Sequence, residues 1–216
     1  MKIIITESQY KLILENEEYI EQIKQLIETF DETNIDIAFQ IAKGLKIKQS
    51  TILGHYEELF KLFLYKPSVI NLKKIISKTR LFVTDNLSKK TLELIFKLPN
   101  LKTIEFLKLN NGDLDDLVST DKKIHISPQC KITSIPNLKE VGGLSMSFMK
   151  IESLSNLKEV RHDLYLSNSK IESLPNLISV GGSLVLVKTP LGERLKSKMS
   201  KDEIKNKFGV KGELLI

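Results

Sequence analysis

Apolar positions in the second half of the chain recur on a fixed spacing. The pairs Ile124-x-Ile126, Leu144-x-Met146, Leu164-x-Leu166 and Leu184-x-Leu186 begin 20 residues apart each time. Leu164 and Leu166 are followed by Ile171, Leu174, Leu177 and Val180. The preceding unit repeats these offsets with Leu144, Met146, Ile151, Leu154, Leu157 and Val160. One unit earlier, Ile124, Ile126, Ile132, Ile135, Leu138 and Val141 keep the order, displaced by one inserted residue. A unit this short cannot bury its own apolar side chains, so the pattern predicts stacked units that share a continuous core. Two apolar residues separated by one suit a short strand with a single inward face. In the "LPNL" corner Pro restricts φ and Asn is expected to bond the local backbone, while Gly142-Gly143 and Gly181-Gly182 read as tight return turns. "LPNL" also occurs at Leu98–Leu101, followed by Ile104, Leu107 and Leu109. Weaker units are therefore expected from about Leu81, with an irregular insertion at "NNGDLDDLVSTDKK".

The first half carries a different period. Thr6 with Gln9 forms a capping box for a helix over about Glu7–Glu15. Ile20, Ile23, Leu26, Ile27 and Phe30 then predict an amphipathic helix over about Glu17–Phe30. "NIDIAFQIAKG" predicts another, with Asn34 as N-cap and Gly44 ending it in the left-handed conformation. "STILGHYEELFKLFLYKP" starts at Ser50 and stops before Pro67, and "SVINLKKIISK" is a short helix capped by Ser68. At the other end, "LGERLKSKMSKDEIKNKFG" contains a helix started by Ser200 and ended near Gly209, and "ELLI" supplies a last strand. A solenoid needs its open end covered, and this tail is expected to cover it. The predicted class is α+β: a helical domain over residues 1–80, a parallel-strand solenoid over 81–190 and a helix/strand cap over 191–216.

"LYLSNSKI" resembles the leucine-rich-repeat pattern: two strand leucines, a small polar residue, then another apolar one. "LPNLxxVGGxLxL" is similar to the short repeats of receptor L-domain-type proteins. The resemblance covers about residues 81–190 and implies an architecture rather than a ligand. One departure stands out: the ladder position usually given to Asn or Cys is Met149, Ser169 and Thr189, with Cys130 in the shifted unit. An unbroken Asn ladder at that position is absent. The opening "MKIIITESQYKLIL" and closing "GVKGELLI" are similar to the ends of small phage proteins, which implies a viral origin.

Composition narrows the function classes. With 41% hydrophobic and 28% charged residues in 216, the chain is expected to be a soluble globular protein. No apolar run approaches the roughly 20 residues of a membrane span, and Ile3–Ile5 is too short for a signal peptide core. A single cysteine, Cys130, allows no internal disulfide and suits a reducing compartment, so a cytoplasmic location is expected. His55, His125 and His162 show no metal-ligand spacing, and neither a metal nor a cofactor is expected. The net charge of +6 is spread out, with a surplus of three in residues 192–216, so no dense basic stripe announces nucleic acid. The paired glycines lack a following Lys-Ser/Thr, and no serine sits in a nucleophile elbow. "DLDDL" at Asp113–Leu117 lacks the Gly and Glu of a calcium loop and reads as a solvated acidic loop. Cys130 at a ladder position reads as structural. An enzyme is not expected.

What remains is a surface. Outward positions of successive strands form one column of His125, Ser145, Tyr165 and Val185, and a neighbouring one of Ser127, Ser147, Ser167 and Val187. Tyr165 and His125 are the expected anchors for a protein partner, because aromatic groups offer large contact area at modest entropy cost. The expected function is a non-catalytic interaction or structural module, virus-encoded and directed at a host protein or virion component. The alternative is a nucleic-acid-associated protein using Lys43, Lys46, Lys48 and the tail lysines.

Overall fold

The computed structural model describes residues 7–216, and side chains from residue 17 onward. The capping box expected of Thr6 and Gln9 lies outside the described residues. The chain forms two compact units. The first runs to Lys78 and resumes over Lys90–Asn100; the second comprises Thr79–Lys89 and Leu101–Ile216.

In the first unit, α1 (Glu7–Ile27) is one helix where the hydrophobic pattern suggested two. Between Glu15 and Glu17 stands only Asn16, neither Gly nor Pro, and the hydrogen-bond ladder runs through it. Helix α2 (Glu32–Gly44) starts earlier than expected, because the Asp31 carboxylate accepts from the Asn34 N–H at 3.0 Å and takes the N-cap role. Its end also differs. Lys46, not Gly44, is left-handed (φ 57°), and the Ile47 N–H reaches back to the Ala42 carbonyl at 2.9 Å. The stretch expected as one helix up to Pro67 divides into α3 (Gln49–Leu53), a 3-10 turn at Gly54–Tyr56, and α4 (Glu57–Leu62). Gly54 weakens the ladder where it tightens, and Leu64 (φ 55°) ends the run early. Helix α5 (Val69–Ile76) has the expected cap: the Ser68 hydroxyl accepts from the Asn71 N–H at 3.1 Å. Helix α6 (Lys89–Lys97) was not expected. It buries Leu92, Leu94 and Ile95 at helical spacing and falls where the first weak repeats were anticipated. Ile27, Ile35, Leu59, Phe60 and Ile75 are fully buried in this unit.

The second unit is the predicted parallel solenoid, of about 5 turns. Its strands are β1 (Arg80–Val83), β2 (Thr103–Phe106), β3 (Ser119–Ile126), β4 (Glu140–Ser145), β5 (Glu159–Val160), β6 (Leu164–Tyr165), β7 (Ser179–Val180), β8 (Leu184–Val185) and β9 (Leu214–Leu215). The main ladder runs β1-β2-β3-β4-β6-β8-β9, every pair parallel, and a second ladder continues from β4 through β5 to β7. The repeating apolar positions are its core: Ile124, Leu144, Leu164 and Leu184 are at most 1% exposed, as are Val141, Val160 and Val180. Burying a side chain of this size stabilises by about 1.5–3 kcal/mol, and the period repeats that contribution at every turn. In β2 the inward pair is Ile104 and Phe106, both at 0%, while Leu107 is 41% exposed. Strand alternation, not residue type, decides which side chain points in.

Two expectations about the turns are corrected. Gly142-Gly143 lies inside β4, and neither these glycines nor Gly181-Gly182 has positive φ. The first of each pair serves close approach: a Cβ on Gly142 would stand 2.0 Å from the Asp121 carbonyl oxygen, and one on Gly181 2.1 Å from that of Arg161. The left-handed turn residues are instead Phe148, Asn168 and Lys188 (φ 61°, 56° and 56°), which share the 20-residue period. The corner asparagines do not bond their own loop either. Asn137, Asn156 and Asn176 donate through Nδ2 to the carbonyls of Asp115, Pro136 and Ser155, one turn back, at 2.8, 2.7 and 2.6 Å. An asparagine ladder therefore exists, at the Pro-Asn corner rather than beside the strand. The expected insertion is irregular only up to Val118, since Ser119–Lys123 belongs to β3, and it joins the ladder through the Asp115 carbonyl.

At the C-terminal end, Thr189 caps an unexpected helix α7 (Pro190–Lys196) through a 2.9 Å bond from the Gly192 N–H. The expected helix follows as α8 (Lys201–Lys207), with a complete capping box of Ser200 and Glu203 and a left-handed Gly209 (φ 53°) after it. Then β9 adds itself to β8 in parallel.

Candidate interaction face

The strands carry their outward side chains in register. His125 pairs with Ser145, Ser145 with Tyr165, and Tyr165 with Val185, so the expected column is a straight row with side chains about 4.8 Å apart. His125 is exposed, Tyr165 is 37% exposed, and Ser145 is half-buried. Val185 is only 7% exposed and offers little free surface. Ser147 and Ser167 of the neighbouring column are half-buried, as are Ser127 and Val187.

Sequence reasoning missed the row on the other side. Lys123, Gly143, Asp163 and Ser183 sit two residues before the expected column on each turn, hence on the same strand face. Lys123, His125, Gly143, Ser145, Asp163 and Tyr165 line a depression of about 250 Å³. Gly143 keeps its centre open, since a Cβ there would meet the Lys123 side chain at 3.3 Å. One Asp163 oxygen accepts from the Ser183 N–H at 2.8 Å, and this fixes the carboxylate. That approach depends on Gly182, where a Cβ would lie 2.3 Å from the same oxygen. Partial burial raises the Tyr165 phenol above its ordinary range, and the Asp163 and Glu213 carboxylates add to the shift. Tyr165 therefore stays a neutral donor at physiological pH. The two-residue offset was the signal that identifies Lys123 and Asp163.

The register extends the column beyond its expected ends. Glu105 pairs with His125 and Phe82 with Glu105 on one side; Leu215 pairs with Val185 on the other. Phe82 is 51% and Leu215 43% exposed. Arg80 lies over the Phe82 ring, 4.9 Å from its centroid, and is ion-paired with Glu105. The row thus offers aromatic or apolar groups at Phe82, Tyr165 and Leu215, with polar groups between.

Other candidate chemistry has ordinary partners. Cys130 is buried, its thiol donates to the Phe106 carbonyl at 3.4 Å, and burial pushes its pKa up, away from the thiolate a nucleophile needs. In the acidic loop, Asp113 accepts from the Asn110 N–H at 2.7 Å and Asp116 pairs with Lys89 at 2.7 Å. Among the described residues no group of three His, Cys, Asp or Glu could hold a metal ion, and no helix is long and apolar enough to cross a membrane. His55 is exposed, its pKa lowered by partial desolvation and by Lys24 and Lys90. Lys43, Lys46 and Lys48 are exposed around the end of α2. At the ladder position, Cys130, Met149, Ser169 and Thr189 are all buried, and the Ser169 hydroxyl has no hydrogen-bond partner among the described residues.

Fold and face together define a class: a solenoid of stacked parallel strands, capped by two short helices, with a helical unit from the first half of the chain. No protein-family model matches the chain, and neither a curated protein nor a solved structure does.

Proposed function

We propose that this protein is a non-catalytic interaction module of leucine-rich-repeat type, which binds a protein partner through the outward face of its parallel strands. The in-register row carries the reading: rigid strands hold Tyr165 and His125 partly or fully exposed beside a shallow depression with one fixed carboxylate. Exposed aromatic side chains on a rigid scaffold lose little entropy on binding, the usual property of interface anchors. The similarity of both terminal segments to phage proteins supports a virus-encoded module acting in a host cytoplasm, on a host protein or a virion component.

The test is capture from the native cell by the immobilised full chain, compared with Tyr165→Ala and His125→Ala together. The specific partner should be retained about tenfold less by the double variant, the loss expected of one or two anchor side chains. Retention unchanged in the double variant with Ser145→Arg added removes the strand face as the site. Binding to DNA or RNA that weakens steeply with salt and ignores these substitutions would favour the basic segment around Lys43, Lys46 and Lys48 instead.

A further inference from the structure

The C-terminal cap holds a second feature unrelated to the strand face. Helices α7 and α8 and the last Pro-Asn corner, Ser173–Leu177, enclose a groove of about 380 Å³. Its floor is apolar, built from Leu177, Leu195 and Phe208, with the half-buried Met199 at one side. Its rim is cationic: Arg194, Lys198 and Lys207 line it, and among the described residues no acidic side chain does. None of these cations has a carboxylate in ion-pair range among the described residues. Two are held in place over the groove. The Arg194 guanidinium donates to the Glu172 carbonyl, and the Lys207 ammonium lies 5.7 Å from the Phe208 ring centroid. Capping the solenoid requires the buried leucines but not three like charges around them. An acidic partner would meet complementary charge at this rim.

We infer that this groove docks a segment of a partner protein that presents leucine-like side chains among acidic ones. The floor residues are only 3% to 6% exposed, so the free apolar contact comes chiefly from the half-buried Met199 beside them. The volume lies at the lower end for small-molecule sites and suits one or two side chains rather than a long acyl chain. A leucine-like side chain packed on Met199 adds apolar contact, and the exposed rim cations set orientation and association rate, which makes binding sensitive to salt.

The experiment uses the full chain and a fluorescein-labelled peptide, Glu-Glu-Leu-Leu-Glu-Glu, read by fluorescence anisotropy at low salt and at 0.3 M salt. Binding should be saturable, about tenfold weaker for Lys198→Glu with Lys207→Glu, and about tenfold weaker for a peptide with serines in place of leucines. Tyr165→Ala should leave it unchanged, which separates this surface from the strand face. Equal binding of the serine peptide would reduce the groove to a patch of charge and overturn the inference. So would equal binding by the charge-reversed variant, or uptake of dodecanoate with no uptake of peptide. Circular dichroism monitors the fold. Should the double variant unfold, Met199→Gln, which alters the groove without changing charge, decides by the same tenfold loss or its absence.

Discussion

At the scale of single residues, glycine placement shows how much stacking demands of the backbone. Gly181 is flanked by strands, has ordinary φ, and would still reject a methyl group, because the Arg161 carbonyl oxygen lies 2.1 Å from where a Cβ would stand. Gly181→Ala is therefore expected to lower stability by about 1–3 kcal/mol, the usual cost of overpacking a site with no room to relax. A urea midpoint unchanged from that of the wild type would show that neighbouring turns can separate. Gly44, with nothing within 4 Å of its Cβ position and no positive φ, serves as the control that should tolerate alanine. The identity of these glycines was legible in the sequence, but their role was not. A Gly-Gly pair looks the same whether it turns the chain or lets another turn approach.

At the scale of elements, local signals predicted starts better than ends. Ser68 and Ser200 cap the helices expected of them, because an N-cap is decided by one side chain and an amide three residues on. Asn34 was misread because Asp31, three residues earlier, offers an equally good acceptor. Ends depended on which residue turns left-handed, and Lys46 and Leu64 do so, both exposed and neither of them Gly or Asn, so residue type did not announce them. The capping box of α8 yields a pH prediction. Hydrogen bonds from the Ser200 N–H and hydroxyl lower the Glu203 pKa below its usual 4.5. A carboxylate with a depressed folded-state pKa contributes stability that is complete above its unfolded pKa and lost as pH falls through the folded one. Glu203→Gln should therefore lower thermal stability at neutral pH, with the difference from wild type shrinking below about pH 4.5. A difference constant from pH 7 to pH 3 would rule out the charge as its source.

At the scale of the whole molecule, a solenoid exchanges one globular core for a row of nearest-neighbour interfaces, so its ends decide its solubility. The final strand protects β8: the Leu184 and Leu186 N–H groups donate to the carbonyls of Glu213 and Leu215 at 2.9 and 2.7 Å. Deleting residues 191–216 would free those donors and uncover the last turn, leaving a flat strand edge. The truncated chain should aggregate, or unfold with a broadened transition, in size-exclusion and thermal-melt measurements. A monomeric product with the wild-type melting temperature would deny the cap its role.

By itself the sequence determined the period, the inward residues from Ile124 to Leu186, the parallel stacking that follows from them, and the caps at Ser68 and Ser200. These depend on spacing and on contacts within a few residues, which one chain records directly. Only the tertiary structure decided which residues meet across turns. It placed Lys123 and Asp163 beside Tyr165, sent each corner asparagine to the turn before it, buried Val185, and gathered Arg194, Lys198 and Lys207 around one groove. Each corner asparagine stands 20 to 22 residues from its acceptor, and Lys123 lies two turns before Tyr165, separations that no local pattern spans. Stacking creates these neighbours, through the register that brings one turn over the next.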